Sequence, residues 1–376
     1  MSWQIYELTN SPLQIGLLGL VRAVPQVAML LFGGLLADAI NRRRLMMATQ
    51  TGLFTVSALL ALATSAGRTS ALTLYVVTVF LALLTSIEGP ARHSLVANLV
   101  PRKDLARATA LYSSQRYVAV IAGPAIAGLV LALVGPAACY AIDALSWLIM
   151  LLSLLLIRVR LPQAAGWSSV SLNSLRTGWR FVFGHAIIFP LLLMDFGANV
   201  FGSVRALLPI YARDILVVGP QGLGLLYAAS AAGSLAGAVG FGLIGSVRDA
   251  GRWIFLGVTI YSVSLMFFAY SQIFWLSIVL LVASGIGDTI SAVLRATINQ
   301  LATPDRLRGR MASINSIFTN SGPQLGQFEA GAVAALLGAE LSVMIGGSII
   351  LLIVAVTAAA FPSVRKFTLS QSSTSS

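Results

Sequence analysis

Apolar runs of about twenty residues or more follow one another down this chain, cut by short breaks that hold most of its arginines. A helix needs about 20 mostly apolar residues to cross the hydrocarbon of a bilayer. Eleven such spans can be drawn, at 13–37, 45–66, 71–97, 106–134, 137–157, 187–210, 222–245, 252–270, 273–300, 310–337 and 341–361. Within each run the apolar residues are continuous, which excludes a closed barrel of alternating strands. The pattern predicts an all-α integral membrane protein.

The breaks differ in charge. One set holds Arg42, Arg43, Arg44, Arg102, Lys103, Arg107, Arg158, Arg160, Arg176, Arg180, Arg248, Arg252, Arg306, Arg308, Arg310, Arg365 and Lys366; the opposite set holds little beyond Arg68 and Arg213. Basic loops stay in the cytoplasm, so the C-terminus is placed inside and Met1 outside. The formal net charge of +12 is spread between spans rather than gathered into a patch, so nucleic acid is not an expected partner.

Composition agrees. The chain is 57% hydrophobic and 10% charged with a mean hydropathy of +0.89, against about 25% charged for a soluble domain. Cys139 is the only cysteine, which removes an internal disulfide and any Cys-based zinc site. The two histidines, His93 and His185, fall near cytoplasmic span ends and read as interfacial, so no cofactor or metal is expected. Only Lys103 and Lys366 of the 24 basic residues are lysine, which fits a GC-rich bacterial genome. There is no phosphate-binding loop and no acid–histidine partner for a serine at depth, so neither ATP-driven work nor an enzyme is expected.

The break after the first span reads Gly33-Gly34-Leu35-Leu36-Ala37-Asp38-Ala39-Ile40-Asn41-Arg42-Arg43-Arg44. It resembles the loop between helices 2 and 3 of the major facilitator superfamily, G-x-L-A-D-x-x-G-R-K/R. Gly34, Leu35, Ala37, Asp38, Arg42 and Arg43 fall on the pattern, and Asn41 replaces its second Gly. The stretches WQIYELTNSPLQIGLLGLVRAVP, GGLLADAINRRRL and PARHSLVANLVPRKDLARATAL are similar to the enterobactin-exporter branch of that superfamily. The resemblance implies two pseudo-symmetric six-helix halves, a multi-pass monomer in the bacterial plasma (inner) membrane, and a small-molecule substrate. Protons and membrane lipids are the other partners it implies. Met1–Leu8 then resembles the outer end of helix 1, and a dozen residues cannot span about 30 Å as helix. A start codon placed too late, or a product lacking most of helix 1, would account for it.

Physically, the glycines of the loop permit close helix approach. Asp38 suits a neighbouring helix N-terminus, and the arginines suit acidic groups or lipid phosphates. The expectation is a latch (Gly34, Asp38, Arg42, Arg43) that forms in one transport state and breaks in the other. The later counterpart, Gly242 to Arg252, is degenerate because its acid follows the first arginine.

A repeat supports two halves. Arg92 precedes Pro101 by nine residues, and Arg295 precedes Pro304 by nine, at an offset of 203; Gly123-Pro124 and Gly322-Pro323 follow at an offset of 199. The expected divisions are an N-terminal bundle at 1–160, a cytoplasmic linker with an interfacial helix at 161–186, a C-terminal bundle at 187–362 and a disordered tail at 363–376.

Charges within spans cost roughly 2.5–3.5 kcal/mol on insertion scales, so each is a functional candidate. Glu88 and Arg116 flank the Lys103 turn by 15 and 13 residues and are expected to pair about 20 Å from it, as a proton-sensitive contact or a permanent clamp. Asp195 and Asp288 are cavity candidates, and Arg22 and Arg205 complete the set. Asp143 and Glu329 read as hydrated rim groups, and Arg92 and Arg295 as structural pairs with nearby loops. Ala119 to Gly128 resembles the exporter motif G-x-x-x-G-P-x-x-G-G, with Pro124 kinking the helix and Gly123 and Gly128 allowing tight packing. Against proton coupling by the superfamily's usual route, Ala71 to Thr85 lacks the arginine many members carry there. The expected function is proton-coupled export, by alternating access, of a drug-like amphiphile or siderophore through a mostly apolar cavity. A proton-independent facilitator or importer, or a transport-dead sensor or scaffold, are the alternatives.

Overall fold

The structure is a computed structural model. It describes residues 1–39, 42–156, 182–244, 247, 249–304, 307–365 and 367–368, with side chains omitted at 30–39, 42, 89–99, 102, 106, 308–310, 312, 313, 317 and 320. The expected linker lies outside the described residues up to 181, and the expected tail lies outside them from 369.

Among the described residues, twelve helices of eight residues or more carry the chain: α1 (Ser2–Thr9), α2 (Pro12–Ala39), α3 (Arg42–Ser65), α4 (Ala71–Leu99), α5 (Leu105–Leu133), α6 (Pro136–Leu156), α7 (Ile188–Phe201), α8 (Gly219–Ile244), α9 (Ala250–Ala269), α10 (Phe274–Ala302), α11 (Arg308–Leu337) and α12 (Ala339–Ala360). No strand occurs among the described residues. Helices suit a bilayer because each backbone N–H finds its carbonyl within the segment, where no water is available. The ends follow local chemistry. Pro12 and Pro136 open α2 and α6, positions where the missing N–H costs nothing. Ser70 starts α4 with a reciprocal capping box to Thr73.

The repeat is visible in the helix bounds. Adding 203 to Ala71, Leu99 and Leu105 gives 274, 302 and 308, the first and last residues of α10 and the first of α11. In both halves a proline stands two residues past the helix end, Pro101 after α4 and Pro304 after α10, where the chain cannot continue as helix.

Among the described residues, ten helices are long and apolar enough to cross a membrane by length and composition. The expected span 310–337, now α11, forms 30 residues of helix but is not among them, because Asn315, Asn320, Gln324, Gln327 and Glu329 lie along it. The expected span 187–210 needs correction. Its α-helix stops at Phe201 and resumes as a 3-10 turn (Val204–Ala206), one helical turn (Leu208–Ile210) and a π-turn (Tyr211–Ile215). At the break, Ser203 Oγ donates to Asn199 O (2.8 Å) and Tyr261 Oη donates to Gly202 O (2.8 Å). A Cβ on Gly202 would run into that phenol and the Ala198 carbonyl, so glycine is required there.

The chain forms two compact units, Met1–Asn10 with Leu20–Ser169, and Ser11–Gly19 with Val170–Ser376. In the first, α3 packs along α6 around Met46 and Leu154, and Tyr140 Oη donates to Gln4 Oε1 (2.7 Å), tying α6 to α1. In the second, Leu191, Met194, Ile254, Val258, Leu294 and Ile350 form a core between α7, α9, α10 and α12. Gly257 and Gly287 bring the α9 and α10 backbones together, a Cβ on Gly257 standing 2.7 Å from the Gly287 carbonyl oxygen. The first turns of α2, which belong to this unit, lie against α11, where Gln327 Nε2 donates to Ile15 O (3.0 Å).

Candidate transport site

The polar centre of the C-terminal unit is built on α7 and α10. Arg295 is 4% exposed at its side chain and Asp195 is 21% exposed; Arg295 Nη2 donates to Asp195 Oδ1 at 2.8 Å. Arg295 Nη1 also donates to Ser291 Oγ at 2.5 Å, one turn earlier on α10. Asn199 Nδ2 donates to the Asp195 backbone carbonyl at 2.8 Å, binding that turn of α7 to itself. Asp288 is half-buried two turns before Arg295 on the same helix. Tyr261 on α9 holds the broken α7 at Gly202 through its hydroxyl. One ion pair, Asp195–Arg295, thus lies inside the spans, with a second carboxylate, Asp288, two turns earlier on α10.

Arg295 had been expected to pair with a loop; it pairs with a neighbouring helix. Depth is the signal that would have found this. Asp195 lies eight residues into the expected span that starts at 187, and Arg295 seven residues before Ala302, where α10 ends. At about 1.5 Å per residue both sit roughly 11 Å from the same face.

The N-terminal unit has a different arrangement. Glu88 is 3% exposed on α4, whereas Arg116 is exposed on α5, and no described ion pair joins them. The expected contact is not among the described ion pairs, Glu88 being buried and Arg116 exposed: equal distance from a turn fixes depth but not which helix face a side chain occupies. Asp143, expected at a hydrated rim, accepts a hydrogen bond from Ser57 Oγ (2.6 Å), which ties α3 to α6, and one from Trp147 Nε1 (3.1 Å) on its own helix.

Of the expected latch, the side chains of Gly34, Asp38 and Arg42 lie outside the described residues. Arg43 is described: its Nη2 donates to the Leu154 and Leu155 carbonyl oxygens, both at 3.2 Å. Those carbonyls belong to the last turn of α6, which has no intrahelical donors and favours a cation. Arg22 is exposed in the first half of α2. Arg205, also exposed, stands on the 3-10 turn after the break with its guanidinium 5.7 Å over the Tyr227 ring. Gly128 is buried, but a Cβ on Gly123 would meet no atom within 4 Å. The expected tight packing is not made at Gly123, because most of α5 around Pro124 is exposed. Glu329 is half-buried on α11.

His185 caps α7. Its Nδ1 accepts from the N–H groups of Ile187 (3.3 Å) and Ile188 (3.4 Å), which requires an unprotonated Nδ1. Burial holds its pKa below the ordinary histidine value, so the unfolded chain binds the proton more readily. Stability is therefore fully present above the unfolded pKa of about 6.5 and is lost as pH falls through the lower folded value. The melting temperature of the detergent-solubilised chain should drop between pH 7 and 5, and His185→Leu should flatten that step.

Comparison with known proteins comes to the same architecture. The family model "Transmembrane secretion effector" matches residues 1–375. The enterobactin exporter EntS of Escherichia coli O1:K1 is 26% identical over 352 residues, covering 93% of this chain and 84% of that protein, and EntS of strain E24377A gives the same values. Among solved structures, the nucleoside transporter NupG superposes with a TM-score of 0.71 at 15% identity, covering 97% of this chain and 93% of its own. A bacterial homologue of the lysosomal transporter Spinster, inward-facing and unoccupied, superposes at 0.74 and 14%, with the same coverages; both show the fold. With helices of this number, length and repeat, and a family match from end to end, the chain belongs to the transmembrane secretion effector family of major facilitator transporters.

Proposed function

We propose that this transporter exports a small organic molecule, a drug-like amphiphile or a siderophore, in exchange for protons across the bacterial inner membrane. The observation that carries the coupling is the buried Asp195–Arg295 pair, with a second carboxylate, Asp288, half-buried two turns earlier on α10. One guanidinium offsets one carboxylate, and Asp195 holds it at 2.8 Å. The second carboxylate is left with a net negative charge inside the spans, a costly state that a proton removes. Loading and unloading Asp288 would then alter the field at Arg295, two turns further along α10, and through it the hold on Asp195 of α7.

Asp38, with Gly34, Arg42 and Arg43, serves in this reading as a cytoplasmic latch, and Gly123, Pro124 and Gly128 as the flexible stretch of α5. The direction of transport follows the likeness to the enterobactin exporter. The protein works as a monomer and needs no cofactor. The uncharged stretch Ala71–Thr85 favours a second reading, a facilitator that needs no proton.

Efflux from cells expressing the chain, measured for siderophores and charged dyes with and without a protonophore, separates these. Export abolished by the protonophore supports coupling, and export that persists supports the facilitator.

A further inference from the structure

The in-span charges sort by sign and exposure. Glu88 is buried, and Asp143, Asp195, Asp288 and Glu329 are each partly buried. Arg295 is buried against Asp195. Among the described residues seven or more from a span end, the exposed charged side chains are Arg22, Arg116 and Arg205. From the bounds Met29 and Arg107, Arg22 and Arg116 lie 7 and 9 residues in, which at about 1.5 Å per residue is 10 Å or deeper, and Arg205 lies 10 residues before Ile215 across the 3-10, helical and π turns. None makes an ion pair with a described residue.

A guanidinium at that depth is costly against lipid, and such groups face a bundle interior or a water-filled cavity. Arg205 is the best held. Tyr227 lies under its guanidinium, and the Tyr227 hydroxyl donates to the Arg205 carbonyl oxygen at 3.0 Å. The ring orients the positive charge without neutralising it. Each unit thus exposes positive charge at depth, and among the described residues neither exposes an acid at comparable depth.

From this we infer that the cargo is an organic anion, carrying a carboxylate or another oxyanion that a guanidinium grips through paired hydrogen bonds. The inference rests on the small-molecule export reading and narrows its cargo, turning away from cationic amphiphiles.

The test uses the purified full chain in detergent and two aromatic probes of equal size, one carboxylated and one bearing a quaternary ammonium. Binding is read by tryptophan quenching. The carboxylated probe should bind at least tenfold more tightly, and rising salt should shrink the difference. Arg205→Gln should weaken the carboxylate about tenfold, leave the ammonium probe unchanged, and be partly rescued by Arg205→Lys. Size-exclusion profiles identify variants that fail to fold, and the selectivity of the unaltered chain stands without them. Equal or tighter binding of the ammonium probe, or no binding of the carboxylate, overturns the inference. A carboxylated probe that binds but is not moved into vesicles overturns the export reading and leaves the charge selectivity intact. Export of the ammonium probe alone does the reverse.

Discussion

Asp195→Asn will destabilise the C-terminal unit by about 3 kcal/mol, the lower end for breaking a buried pair, because Asp195 keeps some water contact. The cost comes from Arg295, which stays 4% exposed and keeps only Ser291 as a described acceptor. Arg295→Met strands Asp195 instead and should cost less, since Asp195 is the more exposed partner. Removing both charges, Asp195→Leu with Arg295→Leu, should recover most of the stability, because two apolar side chains replace a pair that is expensive to desolvate. Transport should not recover with it. Thermal unfolding in detergent, read beside transport, separates the two effects. An Asp195→Asn protein that melts with the parent would show that the pair contributes nothing to the fold.

The second large effect contrasts two glycines. Gly287→Val should prevent the C-terminal unit from forming, since even a Cβ on Gly287 would stand 2.5 Å from the Gly257 carbonyl oxygen. Backbones in such contact cannot yield as a flexible side chain can, and overpacking of this kind costs at least 1–3 kcal/mol. Gly123→Ala, though it falls in the exporter motif, should fold normally because nothing lies within 4 Å of the added methyl. It should even gain up to about 1 kcal/mol of helix propensity. If Gly123→Ala folds yet transports poorly, the glycine is needed in another state of the cycle. Protein yield and size-exclusion profiles settle the first half, and transport the second. A well-folded Gly287→Val would refute the packing described between α9 and α10.

Span positions, the two halves and the 203-residue repeat are legible in the sequence, because apolar runs and proline punctuation depend only on the chain and the bilayer. Partners within the membrane depend on helix rotation, which a run of apolar residues on every side does not encode. Glu88 and Arg116 match in depth and diverge in face, while Asp195 and Arg295 match in both. The α7 break was hidden because Gly202 and Ser203 look like ordinary small residues in a membrane helix. The Tyr261 hydroxyl that bonds to the break lies 59 residues away. Arg43, expected in a loop, stands in the first turn of α3, and its carbonyl partners on α6 are 111 and 112 residues distant.

The central claim is that a proton on Asp288 drives cargo movement. Full-length protein in proteoliposomes, loaded with a siderophore panel and given an imposed pH gradient, tests it directly. The gradient should accelerate flux, and Asp288→Asn should abolish the acceleration while downhill exchange continues. Flux indifferent to the gradient, or an Asp288→Asn protein that still responds to it, would contradict the account.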